Sequence, residues 1–376
     1  MLIGIDATRA NKTQKTGVEW YAWHVIQELK KLTAEDGHSW VLYSNAPLEG
    51  GLEHCPKNWF ERRIGWPFPY GWTQFRLSEE MLKRRADVLF MPGSTLPRKG
   101  GRRTVVTVHD VGFRRYPQIY KKRQVRIHDA AMKEIKRRAS TILTVSEFSK
   151  KEIVSVYGVE PERIHVTYNG IDHDRYRPIT HREDVEERVH RYQLAKPYFL
   201  TVGRLEAKKN IVNLIRAFSV FKSRAGVGDP HTLVLVGMPG FGYEEIKSEM
   251  KRSPAAKYIV ELGYVPEADL PALMNAAEAL IHPSWYEGFG LPPIQAMACG
   301  CPVIASEAGS LPEVVGDGNG LLFPPQDSAA LANEISRLVR DTNLAERLRT
   351  RGIQRAAAFT WARTAKETRD VLLADI

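Results

Sequence analysis

Short apolar runs alternate with longer amphipathic segments along most of the chain. The helical pattern is clearest from Gly17 to about Leu32 and from about Asn210 to Arg224. The predicted strands are Met1–Asp6, Trp40–Tyr43, Val88–Met91, Thr104–Val108, Thr141–Val145, Ile164–Thr167, Pro197–Gly203, Thr232–Val236, Tyr258–Val260, Ala279–Ile281 and Pro302–Ala305. Apolar strands of this kind, separated by helices, are typical of parallel sheets covered on both faces. The pattern therefore predicts an α/β protein.

The two halves of the chain repeat one plan, in which a strand, a polar loop and a helix follow one another. A polar stretch from about Asp172 to Lys196 separates them. We therefore predict two Rossmann-like domains, 1–180 and 190–359, each with a parallel sheet. The run from Thr360 to Ile376 predicts a final helix with Thr360 as its N-cap. Ligands bind beyond the carboxyl ends of such strands, so two facing domains would place their best site in the cleft between them.

Composition excludes a disordered, collagen-like or coiled-coil protein as a description of the whole chain. Hydrophobic residues make up 43% of the 376 residues and charged residues 26%, which are ordinary values for a globular protein. No apolar run approaches the ~20 residues that span a bilayer, and the first residues lack the basic region of a signal peptide. Three cysteines, Cys55, Cys299 and Cys301, match neither a disulfide framework nor a zinc site. We therefore expect a reducing, cytoplasmic environment.

Positive charge is concentrated in the first half of the chain. The formal net charge is +10, and residues 1–180 hold 31 Lys and Arg against 20 Asp and Glu, a net +11. Between Arg98 and Arg138 there are 14 basic and 3 acidic residues. Such a window fits either solvated helix faces or a surface that meets an anionic partner, which could be phospholipid, a phosphate-bearing acceptor or nucleic acid.

The segment His282–Gln295 carries the strongest chemical pattern. It follows the predicted strand Ala279–Ile281 and leads into a helix. Gly288 and Gly290 allow the backbone to approach a ligand closely, and the helix N-terminus presents free N–H groups to a phosphate. Because a carboxylate repels phosphate, Glu287 is better suited to accept hydrogen bonds from sugar hydroxyls. Taken alone, the segment also fits an ordinary strand-to-helix turn.

In its wider context this segment resembles a known donor-binding signature. The sequence YEGFGLP at 286–292, followed by AMACGCPVIA at 296–305, is similar to the signature of family 4 glycosyltransferases. The resemblance covers nearly the whole chain. It implies the GT-B fold, with two facing Rossmann-like domains and an inter-domain cleft, and a retaining enzyme that uses a nucleotide sugar. In this fold the final helix, about 360–376, returns to the first domain.

The resemblance implies four catalytic residues. Arg204 and Lys209 lie in the loop after the strand Pro197–Gly203, so both can point at one anionic ligand. Two positive charges match a diphosphate and stabilise it as it leaves, which is the role that the resemblance gives them. Glu287 is the third, and His109, at the end of the strand Thr104–Val108, is the fourth and would contact the donor sugar.

The resemblance also implies the residues that hold the donor. They are Gly17 in the loop after the first strand, Tyr264 and Val265 beside the nucleotide base, and Phe289, Gly290 and Leu291, whose amides face the sugar. One position departs from the family pattern. Gln295 stands where the family usually has a Glu that holds the ribose. An amide still bonds to hydroxyls but loses the charge-assisted strength of a carboxylate.

These observations predict transfer of a hexosyl group, with mannose as the leading sugar, from a nucleoside diphosphate sugar to an acceptor hydroxyl. The acceptor would be a glycan or a lipid-linked glycan of a cell-surface polysaccharide. No Asp-x-Asp motif stands at a predicted strand end, so we expect no metal and no cofactor other than the nucleotide-sugar co-substrate.

Three other functions remain open from the sequence. A nucleotide-sugar epimerase or a phosphorylase could use the same fold, and the basic window could belong to a nucleic-acid-binding protein, although no recognised binding module accompanies it. The basic groups favour a docking face for anionic lipid at the inner face of the cell membrane. They are Lys83–Arg85, Arg114–Arg115, Lys121–Arg123 and Lys136–Arg138.

Overall fold

The computed structural model describes residues 1–374, which form two parallel sheets with helices packed against them. The first sheet has seven strands in the order β3-β2-β1-β4-β5-β6-β7. Its strands are β1 (Leu2–Asp6), β2 (Ser39–Ser44), β3 (Trp59–Arg63), β4 (Val88–Met91), β5 (Arg103–Val108), β6 (Thr141–Thr144) and β7 (Ile164–Val166). Every pairing in it is parallel, so all of its carboxyl ends meet at one edge.

The second sheet has six strands in the order β10-β9-β8-β11-β12-β13. Its strands are β8 (Tyr198–Val202), β9 (Thr232–Val236), β10 (Ile259–Gly263), β11 (Ala279–His282), β12 (Val303–Ser306) and β13 (Leu321–Phe323). These pairings are also parallel. Both sheets are apolar on both faces, as the buried strands Val88–Met91 and Ala279–His282 illustrate. The predicted α/β class with parallel sheets is confirmed.

Helices pack against these sheets, and α1 and α7 begin and end within one residue of their predicted limits. They are α1 (Gly17–Leu32), α2 (Ser78–Lys83), α3 (Gly112–Arg115), α4 (Lys122–Arg138), α5 (Glu147–Tyr157), α6 (Arg182–Arg191), α7 (Ile211–Ala225), α8 (Tyr243–Arg252), α9 (Leu270–Ala276), α10 (Leu291–Ala298), α11 (Leu311–Val315), α12 (Ser328–Arg340), α13 (Thr342–Ala356) and α14 (Trp361–Leu373). Within residues 1–374, no helix is long and apolar enough to cross a membrane.

The described chain divides into two compact units. The first contains residues 1–115 and 122–170 and the chain from Thr360 onward, and the second contains residues 116–121 and 171–359. Residues 171–180 therefore cluster with the second unit, whereas the sequence analysis placed them in the first. The limits of the functional domains stay predictions. Within the first unit α14 packs along α1, and Thr360 caps it by accepting a hydrogen bond from the Arg363 N–H at 3.2 Å. The last two residues of the predicted final helix lie outside the described residues.

Two strands were absent from the sequence prediction. β3 carries the polar run Glu61–Arg63 at the sheet edge and buries chiefly Trp59, whose ring stacks on Trp40 at 5.0 Å. β13 has three residues and pairs only with β12. Neither offers the continuous apolar run by which central parallel strands are recognised.

Candidate active site

In the second unit, a buried hydrogen-bonded cluster surrounds the Glu287 carboxylate. Lys209 Nζ donates to Glu287 Oε1 at 2.5 Å, Ser284 Oγ donates to the same oxygen at 2.7 Å, and His282 Nε2 lies 3.0 Å from it. The Glu287 side chain is 10% exposed and that of Lys209 is 17% exposed. All three contacts converge on Oε1, so Oε2 carries none of them and is the oxygen that can accept a hydrogen bond from a ligand hydroxyl.

The charges in this cluster are well defined. Burial opposes ionisation of Glu287, but the positive charges of Lys209 and Lys208 and the hydrogen bond from His282 outweigh it and hold the pKa of Glu287 well below its usual range. Burial lowers the pKa of His282, so its imidazole is neutral at pH 7. A carboxylate only accepts hydrogen bonds, hence the proton of His282 sits on Nε2. The cluster therefore presents an ionised carboxylate clamped by three donors.

Backbone contacts fix the loop that carries Glu287. The Ser310 N–H and Oγ both donate to the Glu287 carbonyl at 3.1 Å, and Ser310 Oγ also lies 2.8 Å from the Phe289 carbonyl. Gly309 has a φ of +62°, and a Cβ there would come within 2.5 Å of the Glu287 carbonyl oxygen. Gly309 is therefore required both by its backbone conformation and by the close approach of the Glu287 loop.

The start of α10 limits which amides can meet a ligand. Gly290 adopts a φ of +97° just before the helix. Pro292 and Pro293 follow Leu291 in the first turn and have no N–H. The backbone N–H groups before these prolines are those of Phe289, Gly290 and Leu291, which are the amides that the sequence analysis assigned to the donor. Gln295 lies half-buried in the second turn of the same helix.

The two predicted cations of this unit are placed differently. Lys209 is drawn into the ion pair with Glu287, whereas Arg204 is exposed on the loop after β8. The expectation that both point at one anion stays a prediction. Lys209 is the last residue of a 3₁₀ turn (Ala207–Lys209), and its ammonium group is already paired with the Glu287 carboxylate.

A small recess opens at the carboxyl ends of β8 and β11. It is lined by Thr201, Val202, Gly203, Lys209, Ile211, His282, Pro283 and Ser284. Gly203 closely approaches Gly237 at the end of β9, and a Cβ on Gly237 would overlap the Gly203 carbonyl oxygen. After β10, Tyr264 is exposed and Val265 is buried. The second sheet thus brings its predicted donor residues to one edge.

In the first unit, the predicted residues lie at the carboxyl edge of the other sheet. His109 follows β5, and its Nε2 lies 3.2 Å from the Pro92 carbonyl. Burial lowers the pKa of His109, and the Tyr21 ring meets the imidazole edge-on at 4.7 Å. Gly17 begins α1, where Glu19 reaches back to the Thr16 N–H at 3.2 Å.

Glu19 adds a charged group near this edge. It is buried and pairs with Arg9 at 3.3 Å and Lys12 at 3.2 Å. Burial opposes its ionisation, but hydrogen bonds from Thr16 and Lys12 outweigh that cost and lower the pKa of Glu19 to about 2. Across residues 1–374, no three His, Cys, Asp or Glu side chains come together in a way that could hold a metal ion. Metal independence stays a prediction.

Sequence reasoning missed His282, Ser284 and Ser310. The spacing His-x-Ser-x-x-Glu at 282–287 brings three polar side chains back together within one strand-end turn, and this was the available signal. Ser310 follows β12 and meets the Glu287 loop only in the folded sheet, so no local pattern reveals it.

Comparison with known proteins places this geometry in a family. The model described as Glycosyltransferase Family 4 matches residues 15–175, and the model described as Glycosyl transferases group 1 matches residues 183–355. The O-antigen chain mannosyltransferase B of Escherichia coli is 36% identical over 267 residues, which are 71% of this chain and 69% of that protein. The chain belongs to the group 1, family 4 glycosyltransferases.

Other relatives and solved structures agree with this family. The serotype-specific mannosyltransferase WbdA of Escherichia coli is 27% identical to this glycosyltransferase over 61% of the chain, a match that spans 28% of WbdA. The structure of sucrose-phosphate synthase from Thermosynechococcus elongatus matches with a TM-score of 0.75 and 22% identity, and the match covers 99% of this chain and 98% of that protein. The structure of Anabaena HepE in complex with UDP and glucose matches with a TM-score of 0.74 and 21% identity, and the match covers 99% of this chain and 98% of HepE. These similarities establish the GT-B fold.

Proposed function

We propose that this glycosyltransferase moves a hexosyl group, with mannose as the leading sugar, from a nucleoside diphosphate sugar to a hydroxyl of a glycan or lipid-linked glycan during cell-surface polysaccharide synthesis. The observation that carries the proposal is the clamped, ionised Glu287, which lies in the loop that leads into the N-terminus of α10. A carboxylate and adjacent N–H groups suit a ligand that has both sugar hydroxyls and phosphates.

The proposed chemistry follows from these groups. Glu287 Oε2 accepts a hydrogen bond from a sugar hydroxyl, and Arg204 and the amides up to Leu291 stabilise the negative charge of the departing diphosphate. The bond from the anomeric carbon to the phosphate oxygen breaks, and a bond from that carbon to the acceptor oxygen forms. The acceptor attacks on the face of the sugar that the diphosphate leaves, so the anomeric configuration is retained. The acceptor proton passes to a phosphate oxygen on that face, so the step requires no protein base and no metal.

The choice of sugar and acceptor rests on relatives. The curated relatives described above are named as mannosyltransferases, and one of them as an O-antigen chain enzyme. Another matched protein, Anabaena HepE, is described in complexes with UDP, with UDP and glucose and with UDP-glucose. These names support a nucleotide-sugar donor and a polysaccharide acceptor, and they favour mannose over other hexoses.

The test begins with the purified chain and a panel of nucleotide sugars. Calorimetry with GDP-mannose, UDP-glucose and a dTDP-linked hexose should show one preferred donor, with GDP-mannose expected. With that donor and a mannose-terminated oligosaccharide, NMR of the product should show the donor's anomeric configuration in the presence of EDTA. Inverted product, dependence on added metal, or conversion of the donor to an isomer without acceptor would each contradict the proposal.

We also propose an anionic membrane surface as a partner. Many predicted basic residues are already paired, as Arg115 is with Glu152 at 2.7 Å and Lys83 is with Glu79 at 2.5 Å. The run Lys121–Arg123 is exposed and has no carboxylate partner within residues 1–374. This run therefore supports the proposed contact with anionic lipid more strongly than the other groups do, and location at the inner face of the cell membrane follows from it.

A further inference from the structure

The loop between β3 and α2 exposes an unusual amount of aromatic surface. Among residues 1–374 twelve large apolar side chains are exposed, and three of them, Phe68, Tyr70 and Phe75, lie between β3 and α2. Phe68 is 63% exposed and Tyr70 is 84% exposed. We call residues 65–75 the aromatic loop. Exposed apolar patches of this kind mark a surface that meets another apolar phase.

Three rings of the aromatic loop, those of Trp66, Phe68 and Phe75, contact one another. Trp66 meets Phe68 edge-on with ring centroids 5.2 Å apart, and it stacks on Phe75 at 6.1 Å. The Trp66 indole N–H donates to the Tyr70 carbonyl at 2.8 Å. This bond ties the Trp66 side chain to the backbone of Tyr70 and so joins the two halves of the loop.

Positive charge borders the same surface. The Arg98 guanidinium lies 4.4 Å from the centre of the Phe75 ring. Lys99 follows it in the sequence and is exposed, and the exposed Arg63, the last residue of β3, lies two positions before the loop. None of these three cations has a carboxylate partner in the part of the chain that the structure describes. The border of the aromatic surface is therefore available to an anionic partner.

The position of the loop in the sheet is informative. The loop follows the carboxyl end of β3, and His109 follows the carboxyl end of β5, so both lie at one edge of a fully parallel sheet. β3 lies four strands from β5, which corresponds to about 19 Å at ~4.8 Å per strand. The aromatic surface thus lies on the same edge of the first unit as its predicted site residue.

We propose that the aromatic loop is a membrane anchor that inserts Trp66, Phe68 and Tyr70 into the interfacial region of an anionic phospholipid bilayer. Tryptophan and tyrosine favour this region because an apolar ring and a polar edge are satisfied there together. The bordering cations Arg63, Arg98 and Lys99 meet the lipid headgroups. Because these cations have no carboxylate partner within residues 1–374, the patch complements an anionic bilayer, in which the rings enter the interfacial region and the cations meet the headgroups.

This anchor is distinct from the proposed contact of Lys121–Arg123, and either can fail alone. It also does not require glycosyl transfer. If the acceptor is lipid-linked, as the proposed function allows, an anchor on this edge would hold the first unit where the acceptor leaves the bilayer.

The experiment uses the full chain and vesicles of phosphatidylcholine with or without phosphatidylglycerol, in the absence of nucleotide sugar. The double variant Phe68→Ser with Tyr70→Ser should bind vesicles at least about tenfold more weakly, and the loss should persist in high salt. The matched control is Val227→Ser, which removes an apolar side chain that is 98% exposed on the second unit and should bind like the wild type. Calorimetric donor binding by each variant verifies that it is folded.

A second measurement locates the loop in the bilayer. Lipids brominated on their acyl chains should quench tryptophan fluorescence of the wild type, and Trp66→Phe should lose that quenching. Equal vesicle binding by the double variant and the wild type would overturn the proposal. So would quenching that is unchanged in Trp66→Phe, or sedimentation equilibrium showing a wild-type dimer that the double variant dissociates, since a second copy would then cover the loop.

Discussion

Two histidines lie at carboxyl ends of strands in this molecule, a half-buried one in the first unit and a buried one in the second, and their surroundings differ. His282 ends β11, and its Nε2 faces the Glu287 carboxylate at 3.0 Å. His109 follows β5, and its Nε2 faces the uncharged Pro92 carbonyl at 3.2 Å. Burial lowers the pKa of both. Both are therefore neutral, yet only His282 is hydrogen-bonded to an ion.

The difference indicates two ways of preparing a site. In the second unit, hydrogen bonds and charge hold the reactive carboxylate, so its geometry depends on polar partners. In the first unit, packing against Tyr21 and one backbone bond hold the imidazole. Because a carbonyl only accepts, Nε2 of His109 carries the proton and Nδ1 remains an acceptor. Activity should therefore be sensitive to loss of the Glu287 charge in the second unit and to loss of the ring that packs against His109 in the first unit.

The largest effect should come from removing the charge of Glu287. Glu287→Gln keeps the shape of the side chain but loses the ion pair with Lys209 and the strong acceptor for the sugar. We expect kcat/KM to fall by roughly 10²–10³-fold, since a preorganised charged group of this kind contributes about 3–4 kcal/mol. The control is Glu334→Gln, which breaks a surface ion pair with Arg337 and should leave kcat/KM unchanged. A Glu287→Gln enzyme with more than a tenth of wild-type activity would contradict the charge-based reading.

The second effect tests the backbone support of Glu287. In Gly309→Ala the new Cβ would meet the Glu287 carbonyl oxygen at 2.5 Å, so the loop must shift. Gly300→Ala is the matched control, because its φ is also positive at +71° but its Cβ would meet only Ile353 at 3.5 Å. Both should lose about 1 kcal/mol of stability from strained φ. Only Gly309→Ala should also lose activity, by more than about tenfold. Equal kcat/KM in the two variants would show that the close approach is unimportant.

The third effect tests whether shape governs the first site. Tyr21→Leu removes the ring edge against His109, whereas Tyr21→Phe keeps the ring and loses only the hydroxyl group, which is hydrogen-bonded to Thr107. We expect kcat to fall by about tenfold in Tyr21→Leu through misplacement of the imidazole, and to stay near wild type in Tyr21→Phe. Donor affinity by calorimetry should change much less in both than kcat does in Tyr21→Leu, because most of the predicted donor residues lie in the second unit. Equal kcat in the two variants would exclude positioning by the ring.

A smaller effect is expected at Gln295, where the family usually has a carboxylate. Gln295→Glu restores an ionised acceptor on α10 for the ribose hydroxyls. We expect kcat to be unchanged and the donor KM to be equal or up to about fivefold lower, which corresponds to about 1 kcal/mol for one charge-assisted hydrogen bond. Steady-state kinetics with the preferred donor measures both quantities. A large fall in kcat would assign Gln295 a role of its own.

The sequence predicted most of the fold because buried parallel strands are continuous apolar runs. Ala279–Ile281, for example, was recognised within one residue of β11. It did not predict β3, whose polar residues face outward at a sheet edge. The pattern of apolar residues reports burial, and an edge strand is held chiefly by backbone hydrogen bonds that leave no such pattern.

The candidate site was predicted unevenly for a similar reason. Glu287 and Lys209 stood out because charged residues in strand-end loops are unusual. Their mutual ion pair was not predicted, since it joins residues 78 positions apart. Ser310 was missed because serine is common in any loop, and only the folded chain brings it to the Glu287 carbonyl. Chemistry that depends on one residue type is visible in sequence, whereas chemistry that depends on long-range contact is not.

The smallest effect concerns pH and applies to both histidines. Each imidazole has a pKa below its ordinary value of 6.5 in the folded chain, so neither takes up a proton in the native state until the pH is clearly lower. We therefore expect kcat/KM to change by less than about twofold across pH 6.5. The unfolded chain does take up these protons near pH 6.5. The free energy of unfolding should therefore fall as the pH drops below that value, by up to about 1.4 kcal/mol per pH unit for each histidine. When the free energy of unfolding is measured in urea at several pH values, it should fall less steeply with decreasing pH in His109→Gln and in His282→Gln than in the wild type. If the pH profile of kcat/KM instead changes steeply near pH 6.5, and one of these variants loses that change, the histidine concerned is protonated in the native state near its ordinary pKa.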